Sequence, residues 1–437
     1  MKRTHNNYRI DYNENVGINK QICSAKSTKE LIDIYDQNKL NFNYVNISTI
    51  AHRFAKMKGN KNFIIELIPS ITGNLRDFKP QHLANLAWAF ATLNIKNKEL
   101  FDLLANEVSY KIKDFNSQAV ANLAWSFATL NIKNKELFDL LVKETSYKIK
   151  DFNPQEIANL AWSFATLNIK NIELFETLAK ETPYKIKDFK PQAIANLAWS
   201  FATLSIKNIE LFDLLIKEAF CKIRDFNPQE IANLAWSFAT LNIKNEELFD
   251  LLSKETFFKI KDFKAQNIAN LTWSFAVLDI RNIELFELLI NTKDYNISEK
   301  FQMYQVYLHC KYELKSDRLI NLLEKLDFST FKENVARSSN LHLDCSLRLQ
   351  LLDINHQNEI NINGLYCDIY LPDKNIIIEI NGPFHYTHLD IEPLGRTVFK
   401  SRLLKAMVYI VKTIPYWDWN DMGNSEEKKS YLLNLLK

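Results

Sequence analysis

Two acidic residues near the C-terminal end of the chain, Asp368 and Glu379, have the types and the spacing that suit metal or acid–base chemistry. Each lies in a short run of mainly apolar residues, and a turn-forming Pro-Asp-Lys sequence separates the two runs. A β-hairpin in which Leu371 pairs with Ile376 places the carboxylates directly opposite each other, because partner numbers in an antiparallel ladder have a constant sum. Like charges in this position repel each other. We therefore expect a divalent cation, a basic side chain or a shared proton between them.

Such a carboxylate pair is able to hold Mg²⁺ or Mn²⁺ and to cleave a phosphodiester bond with a metal-activated water. In the Asp…Glu-x-Lys arrangement of nucleases, a lysine two residues after the glutamate positions that water. Asn381 occupies this place here, and His385, Lys400 or Lys405 could substitute for the lysine. The candidate catalytic residues are Asp368, Glu379 and His385, and the first two are the candidate metal ligands.

A purely structural role is the alternative. Arg396, Lys400 or Lys405, on the helix that follows, would then neutralise both carboxylates and only stabilise the fold. Arg396 and Lys400 are also candidates for contacts with the phosphates of RNA. The residue types leave catalysis and a structural ion-pair cluster both open.

The elements that position these residues form a small α/β domain, which we place at residues 333–437. The apolar patterns predict helices at about 338–352, 396–407 and 425–436, and strands at 359–362, 365–371, 375–381 and 408–414.

Most of the remaining chain is a 37-residue unit written six times at residues 76–291. A tryptophan recurs at this interval, as Trp88, Trp125, Trp162, Trp199, Trp236 and Trp273. A fixed period of this length predicts an α-solenoid of stacked helical hairpins. The flanking regions are a polar N-terminal segment (1–45), a degenerate capping repeat (46–75) and a degenerate C-terminal capping hairpin (292–330).

The third repeat shows the pattern most clearly. Asn153, followed by Pro-Gln-Glu, predicts the start of a first helix, A, that runs to about Leu167. Asn171 starts a second helix, B, that ends near Pro183. Polar residues of helix A recur at spacings of three, four and three, which predicts one stripe of uncharged hydrogen-bonding groups for most repeats. The stripe consists of Glu156, Asn159, Ser163 and Thr166.

Stacked stripes of this kind suit single-stranded RNA, because helical-hairpin repeats are able to read about one base per unit. Asn159 has an equivalent in every repeat, which favours a hydrogen-bonded ladder between repeats over base discrimination. The candidates for base discrimination occupy the one variable stripe position: His82, Ala119, Glu156, Ala193, Glu230 and Asn267. The candidates for phosphate contacts lie in the turn after helix A: Lys96, Lys133, Lys170, Lys207, Lys244 and Arg281. Lysines of the Lys-Ile-Lys segments, such as Lys148 and Lys150, form a second ladder.

The composition is that of a folded protein, with 47% hydrophobic residues, seven glycines and a net charge of +3. Five scattered cysteines without a Cys-x-x-Cys pair indicate a reducing compartment and argue against a zinc site. No apolar run reaches the length of a membrane span. We expect an intracellular protein, with the bacterial cytoplasm and an organelle both open. The mild charge leaves a protein-interaction scaffold as a rival to RNA binding.

The C-terminal motifs resemble the RAP domain. They are IIIEINGPFHY (376–386), FKSRLLKAM (399–407) and IPYWDW (414–419). The repeats look like the octotricopeptide and heptatricopeptide units that often precede it. The resemblance implies a PD-(D/E)xK or very-short-patch-repair type of nuclease fold and an RNA-binding protein that acts in RNA stability, processing or translation. It maps the acidic positions of the family to Asp368 and Glu379, and its Gly-Pro-x-His motif to Gly382, Pro383 and His385. Single-stranded RNA and other RNA-processing proteins are the implied partners, with no membrane and no small-molecule substrate.

Overall fold

The computed structural model describes residues 14–290, 295–328, 339–388 and 390–437. They form two compact units, which divide between Leu204 and Ser205. The first thirteen residues, the end of the sixth repeat at residue 291, and the domain limits expected at 292, 330 and 333 lie outside the described residues.

Each repeat is a pair of helices, as the period predicts. The A helices span Pro80–Thr92, Ser117–Thr129, Pro154–Thr166, Pro191–Thr203, Pro228–Thr240 and Ala265–Val277. The B helices span Lys98–Lys111, Lys135–Lys148, Ile172–Lys185, Ile209–Lys222, Glu246–Lys259 and Ile283–Ile290. A single 3₁₀ turn follows each of the first five B helices and leads to the next A helix.

The ends of the A helices follow from local chemistry. In the third repeat, the Asn153 side chain accepts a hydrogen bond from the Glu156 amide, and the Glu156 carboxylate accepts one from the Asn153 amide at 2.9 Å. This reciprocal cap satisfies amides that the helix itself leaves unpaired. At the other end, Asn168 has a φ of 50°, and the Ile169 amide donates to the Phe164 carbonyl at 2.8 Å. Asparagine tolerates this left-handed conformation, so the helix ends there.

The B helix of the third repeat extends past its expected end near Pro183 and finishes at Lys185. Pro183 is exposed and lies in the last turn. A proline here removes a single backbone hydrogen bond, and the rest of the turn is able to form.

Consecutive repeats are joined by aromatic pairs and by lysines. In the first unit, Phe138 of a B helix meets Phe164 of the next A helix edge to face, with ring centroids 4.8 Å apart. Lys148, at the end of the same B helix, donates to the carbonyls of Lys113 and Phe115 in the preceding repeat, both at 2.7 Å. Lys111, Lys185 and Lys259 make equivalent bonds. These four lysines, each the first of a Lys-Ile-Lys segment, therefore hold consecutive repeats together. A role of these segments in a phosphate ladder stays a prediction.

Neighbouring A helices pack side by side more extensively than neighbouring B helices do. Their buried residues are mainly alanine, leucine and phenylalanine. In the first unit, helix Tyr44–Lys56 occupies the A position before the first repeat, with residues 14–24, Thr28–Asn38, Lys61–Glu66 and Ile68–Gly73 around it also helical.

In the second unit, the capping helix Ile297–His309 packs against the sixth A helix, and a π turn (Cys310–Leu314) and helix Asp317–Leu323 follow it. The α/β domain begins with helix Asn340–Leu351. Its four strands are β1 (Gln357–Ile362), β2 (Leu365–Leu371), β3 (Ile376–Asn381) and β4 (Ile410–Pro415). Strands β1, β2 and β3 are antiparallel and β4 runs parallel to β3, in the order β1-β2-β3-β4. The remaining helices are the docking helix Gly395–Ala406, Tyr416–Asp421 and Ser425–Leu435.

The docking helix attaches the α/β domain to the A helices of the fifth and sixth repeats. Arg402 donates to the Val277 carbonyl at 2.9 Å, to the Ala276 carbonyl at 2.5 Å and to the Glu313 carboxylate at 2.5 Å. It thereby satisfies carbonyls that the end of the sixth A helix leaves unpaired. Within the described ranges, no helix is both long and apolar enough to cross a membrane.

Candidate nucleic-acid interface

In the first unit, the solvent-facing side of each A helix of the repeats carries a regular set of uncharged side chains and a tryptophan. In the third repeat these are Gln155 and Thr166, which are exposed, and Asn159 and Trp162, which are half-buried. Their spacings of four, three and four place all four on one face of a helix. We call this set the Trp–Asn face.

The tryptophans are the largest side chains on this face. Trp88, Trp125, Trp162 and Trp199 of the first unit are all half-buried, as is Trp236 of the second unit. His52, at the equivalent position of the capping repeat, lies 4.8 Å from Trp88 between ring centroids. An array of partly exposed aromatic side chains is a feature of interaction surfaces.

The sixth repeat differs because the capping helix covers it. Trp273 is only 8% exposed, and its indole Nε1 donates to Gln305 at 2.6 Å. Gln302 donates to Asn270 at 3.0 Å. These contacts show how a hydrogen-bonding partner engages the Trp–Asn face when one is present.

The repeated asparagines do not form the ladder that their sameness suggested. In the described part of the first unit, the carboxamides of Asn85, Asn122, Asn159 and Asn196 make no hydrogen bond with another residue. The carboxamides are therefore available to a ligand.

The polar stripe expected from the sequence is displaced around the helix. Ser163 is fully buried, and its hydroxyl donates to the Asn159 carbonyl of its own helix at 2.6 Å. Ser126, Ser200, Ser237 and Ser274 do the same. Because a serine is able to satisfy its hydroxyl within the helix, its polarity does not require solvent. Gln155 and Trp162 replace Glu156 and Ser163 on the exposed face.

The variable stripe position has a capping role in the structure. Glu156 and Glu230 complete the caps of their helices, Asn267 accepts from the Lys264 amide, and the His82 ring accepts from the Lys79 amide. Ala119 and Ala193 are buried. Base discrimination by these six residues stays a prediction, and their burial and capping bonds leave them little freedom to contact a base.

The basic residues after the A helices differ between the two units. Lys96, Lys133 and Lys170 of the first unit are exposed, although partial burial of its amine lowers the pKa of Lys170 to about 8. In the second unit Lys207 is buried in an ion pair with Glu392 of the α/β domain, which removes it from the expected ladder. Lys244 pairs with Glu246 at 2.9 Å and Arg281 with Asp279 at 3.3 Å. The unpaired positive charge of the ladder thus lies in the first unit.

In the α/β domain, the hairpin has the register that the sequence predicts, with Leu371 opposite Ile376. The Asp368 carboxylate accepts a hydrogen bond from the Ile380 amide at 2.7 Å. Glu379 is only 6% exposed, and its Oε2 lies 2.5 Å from the Lys400 amine. Lys400 is therefore the basic side chain that compensates the buried carboxylate.

Burial dominates the protonation of this pair. It raises the pKa of Glu379 to about 7, with Asp368 adding to the rise and Lys400 opposing it. Burial by itself acts to lower the pKa of Lys400, but attraction to Glu379 outweighs it, and that pKa is raised. Near neutral pH the Glu379 carboxyl is therefore poised between its protonated and ionised forms, beside a charged Lys400.

The residues present do not fit a divalent cation. The Lys400 ammonium occupies one Glu379 oxygen, Oε2, and one Asp368 oxygen is engaged by a backbone amide. The described part of the chain gathers no group of three or more histidine, cysteine, aspartate or glutamate side chains suited to a metal. Hard cations require several oxygen ligands. Catalysis by Asp368, Glu379 and His385 stays a prediction.

His385 and Arg396 lie beside this pair and line the same cavity of about 570 Å³. The His385 ring is 3.1 Å from the Thr397 hydroxyl, and Arg396 donates to the Phe384 carbonyl at 2.7 Å. Burial, reinforced by the charges of Arg396 and Lys400, lowers the pKa of His385. The cavity thus combines a neutral imidazole with two cationic side chains.

Known families match both parts of the chain. A model described as RNA-editing substrate-binding complex 6 protein matches residues 38–282, which is more than half of the chain. This chain belongs to the RNA-editing substrate-binding complex 6 family. A RAP domain model matches residues 378–435 and confirms the resemblance seen in the C-terminal motifs.

A chloroplastic RAP domain-containing protein from Oryza sativa subsp. japonica is 31% identical over 78 residues. The matched segment covers 18% of this chain and 12% of that relative, so the chain spans only a small part of its length. In this member of the RNA-editing substrate-binding complex 6 family, the RAP match includes Glu379, His385 and Lys400 but not Asp368. The description of the family associates it with RNA.

The Trp–Asn face is the surface feature that the sequence interpretation missed. Its signal was available, because Gln155, Asn159, Trp162 and Thr166 already show helical spacing in the sequence. In the sequence alone the tryptophans indicate the period, and the polarity of the serines predicts a surface position for them.

Proposed function

We propose that this protein binds single-stranded RNA across the A helices of its repeats and acts in RNA stability, processing or translation. The observation that carries the proposal is the Trp–Asn face, where a half-buried tryptophan and a free carboxamide recur together in every repeat of the first unit.

The chemistry of this face suits unpaired bases. A base that stacks on an aromatic side chain contributes about 1–3 kcal/mol to binding. Carboxamides such as those of Asn159 and Gln155 are able to donate to and accept from base edges. The face carries no charge of its own, so the phosphates would be met by Lys96, Lys133 and Lys170 at its edge.

The comparisons support RNA over a polypeptide as the ligand. The family is described as an RNA-editing substrate-binding complex protein, and RNA together with other proteins of such a complex are the partners this suggests. A chloroplastic relative and an RNA-editing family also favour an organelle as the site of action. A protein-interaction scaffold would use the same face for a peptide, and binding experiments distinguish the two.

The test compares two double variants of the full chain in binding to a fluorescent single-stranded RNA. Trp125→Ala with Trp162→Ala removes two stacking platforms, and we expect a loss of affinity of about tenfold to a hundredfold. Tyr147→Ala with Tyr184→Ala removes two aromatic residues that are 74% and 84% exposed on the B helices, and we expect no loss. Equal affinity of the two variants, with helix content intact by circular dichroism, would argue against the proposal.

Cleavage is a separate question. Products that require added Mg²⁺ or Mn²⁺ and disappear in both Asp368→Ala and Glu379→Ala would establish the endoribonuclease that the sequence left open. Retention of cleavage in either variant would assign it to other residues.

A further inference from the structure

The cavity of about 570 Å³ in the second unit has a mixed lining. The capping helix contributes the aromatic residues Phe301 and Tyr304, and the docking helix contributes Phe399. Polar groups on the lining include those of Tyr366, Glu379 and Lys400. Apolar walls with a few polar groups are typical of sites for small planar ligands.

Two residues that line this cavity each carry a buried polar atom that lacks a hydrogen-bond partner among the described residues. They are Oε1 of Glu379, whose side chain is more than nine-tenths buried, and the hydroxyl of Tyr366. The Cys367 thiol acts on Glu379 only as a weak donor. Unsatisfied buried polar atoms are costly and rare in folded proteins. Their position in one cavity therefore points to a ligand that supplies both partners.

The two atoms require complementary groups. Glu379 Oε1 accepts a hydrogen bond when the carboxylate is ionised, and the Tyr366 hydroxyl is able to donate one. A planar ring with an N–H group and a carbonyl or ring nitrogen satisfies both. Arg396 is exposed and also lines the cavity, where its guanidinium is placed to meet a phosphate.

We propose that this cavity binds one nucleotide, with the base against Phe301 and Tyr304, its N–H edge on Glu379 and its phosphate on Arg396. The nucleotide is either free or part of an RNA strand. Only the second source rests on the proposed function.

The site is tested by titrating the full chain with each of the four ribonucleoside 5′-monophosphates, with ribose 5-phosphate as the matched probe without a base. We expect at least one nucleotide to bind at millimolar concentration or below and ribose 5-phosphate to bind at least tenfold more weakly. Glu379→Gln should weaken binding of the preferred nucleotide about tenfold or more, because a carboxamide has one acceptor oxygen and cannot accept from both Lys400 and the base.

A second variant protects the test against misfolding of the first. Phe301 is 45% exposed, so Phe301→Ala removes one wall of the cavity without opening the core, and we expect about fivefold to tenfold weaker nucleotide binding. Phe258→Ala, at a position 85% exposed and outside the cavity, is its control and should leave binding unchanged. The proposal is overturned if no monophosphate binds the folded wild-type chain, if ribose 5-phosphate binds as well as the nucleotides, or if Phe301→Ala has no effect.

Competition then identifies the source of the nucleotide. Displacement of the bound monophosphate by a single-stranded RNA oligomer assigns the site to a nucleotide of the RNA, and its absence assigns the site to a free nucleotide. Either result supports the site. The double variant Trp125→Ala with Trp162→Ala should retain monophosphate binding. The proposal for the Trp–Asn face and the proposal for this cavity can therefore be refuted independently of each other.

Discussion

The Glu379–Lys400 pair shows how much a single contact in the RAP domain depends on its surroundings. The carboxylate lies in an apolar strand, and Lys400 reaches it from the docking helix at 2.5 Å. A buried ion pair of this kind contributes little net stability, but removing one partner leaves an uncompensated charge. The protonation of Glu379 in β3 is therefore coupled to the position of the docking helix, which carries Lys400.

The raised pKa of Glu379 has a consequence for stability. The folded state prefers the protonated carboxyl of Glu379, and this preference adds to the free energy of unfolding. The added stability is fully present below pH 4.5 and is lost as the pH rises through about 7. We expect the free energy of unfolding of the wild type to fall over this range, relative to Glu379→Gln, by on the order of 2 kcal/mol. Urea denaturation of both proteins between pH 4.5 and 8 measures the difference.

Glu136→Gln, at an exposed position of a B helix, is the control and should follow the wild type. Parallel stability curves for the wild type and Glu379→Gln would show that Glu379 has an ordinary pKa.

At this scale the sequence predicted the hairpin register and the need for a compensating group, but not the choice of Lys400. Register follows from alternation and a turn, which are local. The choice among Arg396, Lys400 and Lys405 depends on how the docking helix packs, which is tertiary. The exposed stripe was misplaced for a related reason, since the Ser163 hydroxyl finds its partner inside its own helix.

Among the elements, the A helices differ in how well their starts are capped. Asn153 caps the third A helix through its side chain, whereas Lys190 at the same position of the fourth makes no side-chain cap. We expect Asn153→Ala to reduce stability by about 1 kcal/mol and Lys190→Ala to leave it nearly unchanged. The shift in urea midpoint checks both, and similar shifts for the two variants would contradict the account of the cap.

The docking helix packs closely against the fifth A helix at Gly395, and this contact can be tested. A Cβ at residue 395 would lie 1.8 Å from the Ala239 carbonyl oxygen, so Gly395→Ala forces the helix away from the fifth A helix. We expect faster hydrogen exchange in the docking helix and at residues 236–242. Gly423→Ala, where the nearest atom lies at 3.8 Å, is the control. Unchanged exchange in Gly395→Ala would show that this contact does not hold the domain in place.

Helix and strand positions were predictable because periods of 3.6 and 2 and the caps are written locally. The attachment through Arg402 and Lys207 was not. Arg402 satisfies carbonyls at the end of a helix 125 residues earlier, and Lys207 pairs with a residue 185 positions away. No local pattern distinguishes Lys207 from the equivalent lysines of other repeats.

For the whole molecule, the fixed period predicted the helical solenoid, because stacking identical units is the way such repeats bury their apolar faces. The RAP domain was predicted separately, from the resemblance of the C-terminal motifs. If each repeat contacts about one base, deletion of one full period, residues 117–153, should shorten the protected RNA by about one nucleotide. Nuclease footprinting of both proteins measures this length. A footprint of unchanged length would separate the repeats from RNA recognition.

The most direct test of the central claim is ultraviolet crosslinking of a single-stranded RNA oligomer to the full chain, with the crosslinked peptides identified by mass spectrometry. We expect crosslinks on the A helices, at the peptides that contain Trp125 and Trp162. Crosslinks confined to the B helices around Tyr147 and Tyr184, or none with folded protein at low ionic strength, would contradict the assignment of the Trp–Asn face to RNA.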